Sequence, residues 1–171
     1  MHIIAAVLAL LAGVYIFVNR ARNAAEMTHE LMGVADDVRA AARRLGFRRN
    51  KAQHPVEAIE DPNTAAVTVA TAFMELHGLP TEERRQALVR SIQSELEVGL
   101  PEAEELMILG RWLMTQCNGP EPAITRASRQ LCKLTKGDMG PLLEMLKAVS
   151  ADPLTEKQRE AIEEIRRIFR K

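Results

Sequence analysis

The chain is poor in aromatic residues, cysteine and histidine. Aromatic side chains make up 4% of its 171 residues, and it contains 2 Cys and 4 His. The cysteines, Cys117 and Cys132, are too few for a disulfide framework or a cysteine-based zinc site. No histidine stands in a spacing such as His-Glu-x-x-His, and the sequence contains neither a glycine-rich phosphate loop nor a nucleophile elbow. We therefore predict a protein that is not an enzyme, with no catalytic residue and no cofactor.

The sequence also lacks an excess of charge of either sign. It has 23 Lys and Arg against 23 Asp and Glu, so no global field draws nucleic acid to it. The balance hides a split, because residues 20–51 contain eight basic and four acidic residues whereas residues 52–171 contain 15 basic and 19 acidic ones. Phe47 is the only aromatic residue within the basic cluster at 43–51, and no stacking platform accompanies it, so we expect no nucleic-acid partner. Anionic lipid headgroups and plain solvation are the alternatives for this cluster.

No charged residue precedes Arg20, and Ile3 to Val18 form an uncharged run of 16 residues. As a helix, this run extends about 24 Å, slightly less than the roughly 30 Å hydrocarbon core of a bilayer. A cleavable signal peptide carries positive charge before its apolar segment, whereas here Arg20 and Arg22 follow it. This order favours a retained transmembrane anchor at 1–19. The positive-inside bias then predicts a single-pass inner-membrane protein with its N-terminus outside and its C-terminal domain in the cytoplasm.

Residues 20–54 are predicted to form a basic helical stem. Apolar residues recur in steps of three and four, as in a short coiled coil, at Ala24, Met27, Leu31, Val34, Val38, Ala41 and Leu45. Within the anchor, Ala5, Ala9 and Gly13 give one helix face of small residues. Both features are compatible with a homo-oligomer through anchor and stem. The alternatives are lipid contact for the anchor, and packing on the protein's own head or on the bilayer surface for the stem.

Proline, glycine and capping residues divide residues 55–171 into about six helices. Helix starts are expected at Asp61-Pro62, Thr81, Leu100-Pro101, Pro120, Met139 and Thr155, and helix ends near Gly78, Gly99, Gly119, Gly137 and Ser150. The first helix is apolar nearly all round, which predicts a central helix covered on several sides. The third helix has one apolar face, formed by Leu106, Leu109, Leu113 and Cys117. No segment alternates with period two between hairpin turns, so we predict an all-α bundle.

Two helix starts in this head are alike. Thr-Glu-x-x-Arg-x-Ala-Leu at 81–88 recurs as Thr-Glu-x-x-Arg-x-Ala-Ile at 155–162. A capping residue followed by an acid is a general helix start, so coincidence and a pseudo-twofold repeat of helix pairs are both open.

The turns before these two starts carry a resemblance to a known family. Residues 76–83 are Leu-His-Gly-Leu-Pro-Thr-Glu-Glu, and residues 151–156 are Ala-Asp-Pro-Leu-Thr-Glu. In these turns the head resembles the tellurite-resistance TerB-like family, which includes a region of a membrane-anchored DnaJ-like co-chaperone. Family members carry Ala-Asp-Gly, a short turn, Ser or Thr and a Glu-rich helix start, often twice. Here His77 stands in place of the first Asp, and Pro153 in place of the second Gly. The resemblance implies a compact TerB-like helical bundle at 55–171.

The resemblance also raises metal binding, because family members with a full acidic set have been considered metal-binding. The candidate ligands are Glu75, His77, Glu83, Asp152 and Glu156. Calcium takes six to eight oxygen ligands, and this set is incomplete. We therefore expect no specific metal site and interpret these residues as ordinary charges at helix ends.

The resulting hypothesis is a membrane-anchored cytoplasmic TerB-like domain that acts as a non-catalytic interaction or scaffold module. Its partner is an unidentified protein, in complexes of the stress or tellurite-resistance type. The alternative is a metal-binding or metal-sensing module that uses the acidic turns between helices.

Overall fold

The computed structural model describes residues 36–48 and 53–170. The predicted anchor at 1–19 and the stem up to residue 35 lie outside this part of the chain. Within the described residues, no helix combines the length and the apolar character that crossing a membrane requires.

All regular secondary structure among the described residues is helical, and none of these residues lies in a strand. A helical segment covers 36–44. Six α-helices follow: α1 (Pro62–Met74), α2 (Glu82–Leu96), α3 (Leu100–Gln116), α4 (Pro120–Thr135), α5 (Gly140–Val149) and α6 (Glu156–Phe169). Two short 3₁₀ helices, Pro55–Ala58 and Glu75–His77, flank α1. The prediction of an all-α bundle of about six helices is confirmed.

The predicted N-caps form as local chemistry requires. The Asp61 carboxylate accepts hydrogen bonds from the backbone N–H groups of Asn63 and Thr64, and Pro62 occupies the first position of α1. The Thr81 hydroxyl caps α2. Thr155 and Gln158 form a complete capping box at the start of α6. These caps fix where three of the six helices begin.

Two helix ends differ from the expected positions. Helix α1 ends at Met74, and the 3₁₀ turn Glu75–His77 carries the chain on to Gly78, whose φ of 97° suits glycine. Helix α2 ends at Leu96 because Glu97 adopts a left-handed conformation with φ 54°. The end of α2 therefore precedes Gly99, and residues 97–99 form a short loop before α3.

Helix α1 is the centre of the bundle. All eleven residues from Thr64 to Met74 are buried, and the helix contacts α3, α4 and α5. This confirms the predicted central helix. Helix α3 approaches α1 closely at Gly110, where a Cβ atom would lie 3.3 Å from the Cα of Thr68. Helix α2 packs chiefly on α5, and α6 packs on α4.

The end of the predicted stem packs as part of the head, and the compact unit begins at Val38. Val38 and Ala41 are buried, and Leu45 and Phe47 pack against the core. The rings of Phe47 and Trp112 meet edge to face with centroids 6.0 Å apart. Of the three alternatives for the stem, packing on the protein's own head accounts for its positions 38, 41 and 45.

Candidate functional site

The five candidate metal ligands lie in two turns. Glu75 and His77 belong to the 3₁₀ helix after α1, and Glu83 lies in the first turn of α2. Asp152 lies in the turn between α5 and α6, and Glu156 begins α6.

Two of these carboxylates are engaged by arginine. The Arg111 Nε lies 3.0 Å from the Glu75 Oε1, and Glu156 forms an ion pair with Arg159 one turn further along α6. Glu83 and Asp152 are exposed. Across the described part of the chain, no group of three or more His, Cys, Asp or Glu residues is positioned to hold a metal ion.

A groove of about 580 Å³ lies between α2 and α3, beside the end of α1. We call it the α2–α3 groove. The α2 wall consists of Glu82, Arg85, Gln86, Val89, Arg90 and Gln93; the α3 wall consists of Leu100, Glu104, Met107, Ile108 and Arg111; Thr71, Met74 and Glu75 form the floor. The volume lies in the range typical of small-molecule pockets.

The groove exists because α2 makes its main contact elsewhere. The fully buried side chains of α2 are Leu88 and Ile92, and this helix packs chiefly on α5. Val89 and Gln93, which lie one helical turn apart, project from a neighbouring face toward the groove. No described helix covers that face, so the α2 and α3 walls remain open.

Apolar side chains in the groove face solvent. Leu100 is 50% exposed and Ile108 is 37% exposed, and they are two of the four large hydrophobic residues that are exposed in the described part of the chain. Met107 and Val89 beside them are half-buried. A cluster of exposed apolar residues rimmed by charges is characteristic of an interaction site.

The charged residues of the groove fall into two groups. Two ion pairs, Glu75 with Arg111 and Glu82 with Arg85, neutralise four of them. Burial raises the pKa of the Glu75 carboxyl above its ordinary value, although the neighbouring Arg111 and Arg85 guanidinium groups oppose that effect.

The other two charged residues stand on opposite walls. Arg90 on α2 and Glu104 on α3 are both exposed. Neither side chain forms an ion pair or a hydrogen bond with another residue that the structure describes. Each is therefore available to an incoming group of opposite charge.

The lining suits a binding surface for protein. Arginine and methionine are enriched in protein–protein interfaces and lysine is depleted; the groove has three arginines, two methionines and no lysine among its described lining residues. Flexible methionine side chains such as Met74 and Met107 adapt to the shape of a partner.

Comparison with protein-family models, curated proteins and solved structures gives no match to this chain.

The sequence prediction named Glu75 but did not find the groove around it. A signal for the groove was present in α3. Met107 and Ile108 are apolar, yet they fall outside the predicted buried face at Leu106, Leu109 and Leu113. Large apolar residues on the second face of an already amphipathic helix indicate a second contact surface.

Proposed function

We propose that this protein is a membrane-tethered helical domain that binds another protein through the α2–α3 groove and performs no chemistry itself. The observation that carries the proposal is the exposure of Leu100 and Ile108 inside a concave surface. Covering such side chains removes apolar surface from water, and each Å² that is buried contributes a favourable free energy of about 25 cal/mol. A protein partner is the occupant that recovers this free energy over the length of the groove.

The tether in this proposal is the uncharged run at 3–18, and Arg20 and Arg22 after it favour a cytoplasmic head. The resemblance of the turns at 76–83 and 151–156 to TerB-like proteins supports a role in a membrane-associated stress complex. Together these features give a docking module held at the inner face of the bacterial inner membrane.

Metal binding at the acidic turns is the less favoured function. Glu75 and Glu156 each form an ion pair with an arginine, and that positive charge opposes the binding of a cation at the same carboxylate. Glu83 and Asp152 alone supply too few oxygen ligands for calcium.

Site-specific photocrosslinking in native membranes tests the docking function. A photoreactive amino acid is placed at Ile108 in the full-length chain, and in a second protein at Leu154. The two leucine-sized residues are matched, because each is 37% exposed and Leu154 lies in the turn before α6, outside the groove. We expect a crosslinked protein from position 108 that is absent from position 154.

The same membranes provide a loss-of-function control. The substitution Met107→Glu places a charge in the groove and should abolish the crosslink from position 108. Equal crosslinking from 108 and 154, or a position-108 crosslink that survives Met107→Glu, would exclude the groove as the docking site.

A further inference from the structure

We infer that the occupant of the α2–α3 groove is an amphipathic helix of about three turns. It places an acidic residue against Arg90 on one wall and a basic residue against Glu104 on the other. This inference rests on the proposed docking function and specifies the chemistry of the partner.

The dimensions of the groove fit a helix of this length. Its α2 wall runs from Glu82 to Gln93 and its α3 wall from Leu100 to Arg111. Each wall spans eleven residue steps, or about 16 Å at 1.5 Å per residue. A helix of three turns has the same length, and its apolar residues at i, i+3 or i+4 and i+7 fall along one stripe.

The apolar centre of the groove matches such a stripe. Val89 from one wall and Met107 and Ile108 from the other flank the midline, and Met74 forms the floor. Binding by strand addition is not available here, because it needs unpaired backbone groups at a sheet edge. The walls are α-helices whose backbone groups are bonded within each helix, and the described residues contain no strand.

The charged residues on the two walls determine which charges the bound helix carries on either side of its apolar stripe. The Glu75–Arg111 and Glu82–Arg85 pairs are satisfied within the chain. Arg90 and Glu104 have no partner among the described residues and stand on opposite walls. A ligand charge of the same sign beside either one is unfavourable, and a charge of opposite sign is favourable. The complementary helix therefore carries one acidic and one basic flank, rather than two flanks of the same sign.

Peptide binding to the full-length protein in lipid nanodiscs tests this. The probes are fluorescent helical peptides of 14 residues, stapled on the outward face, with one leucine stripe in common. Their flanks are Glu and Lys in the first, Glu and Glu in the second, and Lys and Lys in the third. We expect the mixed peptide to bind best, by about two- to fivefold for each mismatched charge.

Two single variants should move that preference in opposite directions. With Arg90→Glu both walls become acidic, and the Lys–Lys peptide should bind best. With Glu104→Lys both walls become basic, and the Glu–Glu peptide should bind best. Arg129→Glu and Glu163→Lys are the matched controls, because both residues are exposed and lie outside the groove, and they should leave the ranking unchanged.

Ile108→Glu should weaken binding of all three peptides, whereas Leu154→Glu should not. If the peptides bind at the groove but their ranking ignores Arg90→Glu and Glu104→Lys, the inferred charge pattern is wrong and docking stands. If no peptide binds while the position-108 crosslink captures a protein, the helical occupant is wrong. A crosslink from position 108 to a second copy of this chain would also overturn the inference. If neither peptide nor crosslink is found, the docking function itself fails.

Discussion

The Arg111 guanidinium on α3 holds the Glu75 carboxylate of the 3₁₀ turn, with Nε and Oε1 3.0 Å apart. Glu75 is the buried member of this pair, since its side chain is 11% exposed and that of Arg111 is 49% exposed. The ion pair thus ties the end of α1 to α3 at the floor of the groove.

Folding stability should depend on pH through Glu75. Because burial raises the pKa of this carboxyl in the folded state, the folded protein holds the proton more tightly than the unfolded chain. Stability from this group is complete below the ordinary carboxyl pKa and declines as pH rises through the raised value. Relative to Glu75→Gln, the wild-type protein should lose unfolding free energy between mildly acid and neutral pH, as measured by urea titrations. A difference that grows with pH would show that Arg111 outweighs burial.

Gly110→Ala should destabilise the bundle by about 1–3 kcal/mol, as expected for overpacking. The added Cβ would lie 3.3 Å from both the Thr68 Cα and the Thr71 Oγ1, and backbone atoms of the central helix move less easily than a side chain. The control is Gly140→Ala, whose Cβ would meet only the Asp138 side chain, at 3.5 Å. Thermal unfolding should separate the two variants, and equal melting temperatures would contradict the close approach of α1 and α3.

Phe47→Ala should lower the unfolding free energy by about 1–3 kcal/mol, because it removes a partly buried ring and its edge-to-face contact with Trp112. The matched variant is Arg44→Ala, which removes a neighbouring ion pair with Glu105 on α3. Arg44 is 67% exposed, so this loss should stay below about 1 kcal/mol. Tryptophan fluorescence during denaturant titration measures the unfolding free energy of both variants. Similar small losses would mean that segment 38–47 contributes little to the head.

Gln158→Ala should cost about 1–3 kcal/mol, because it removes an acceptor shared by two backbone N–H groups. The buried Gln158 Oε1 accepts hydrogen bonds from Ala151 N at 3.2 Å and from Thr155 N at 3.3 Å. Gln86→Ala is the control, since Gln86 is exposed and donates only to the Glu82 carboxylate; its effect should stay within about 0.5 kcal/mol. Chemical denaturation measures the unfolding free energy of the two variants. No loss on Gln158→Ala would show that water replaces the amide.

The helix starts were predictable because each depends on a few consecutive residues. The Asp61 carboxylate accepts hydrogen bonds from backbone N–H groups two and three residues further on, and Thr155 and Gln158 cap each other's backbone N–H groups. Both partners of each cap therefore lie within three residues in the sequence. The stop of α2 at Glu97 was not predictable in the same way. A left-handed glutamate is uncommon, and Gly99 two residues later is the residue that local preference would choose.

The sequence by itself determined that the described head is an all-α bundle, where its helices begin, and that α1 is central, because caps and apolar periodicity act within one or two turns of a helix. Only the tertiary structure decided that α2 packs on α5 and leaves a groove against α3, and that Phe47 meets Trp112. These relationships join residues far apart in the chain. Which apolar face of α3 is covered therefore depends on where its neighbours pack, and local sequence does not contain that information.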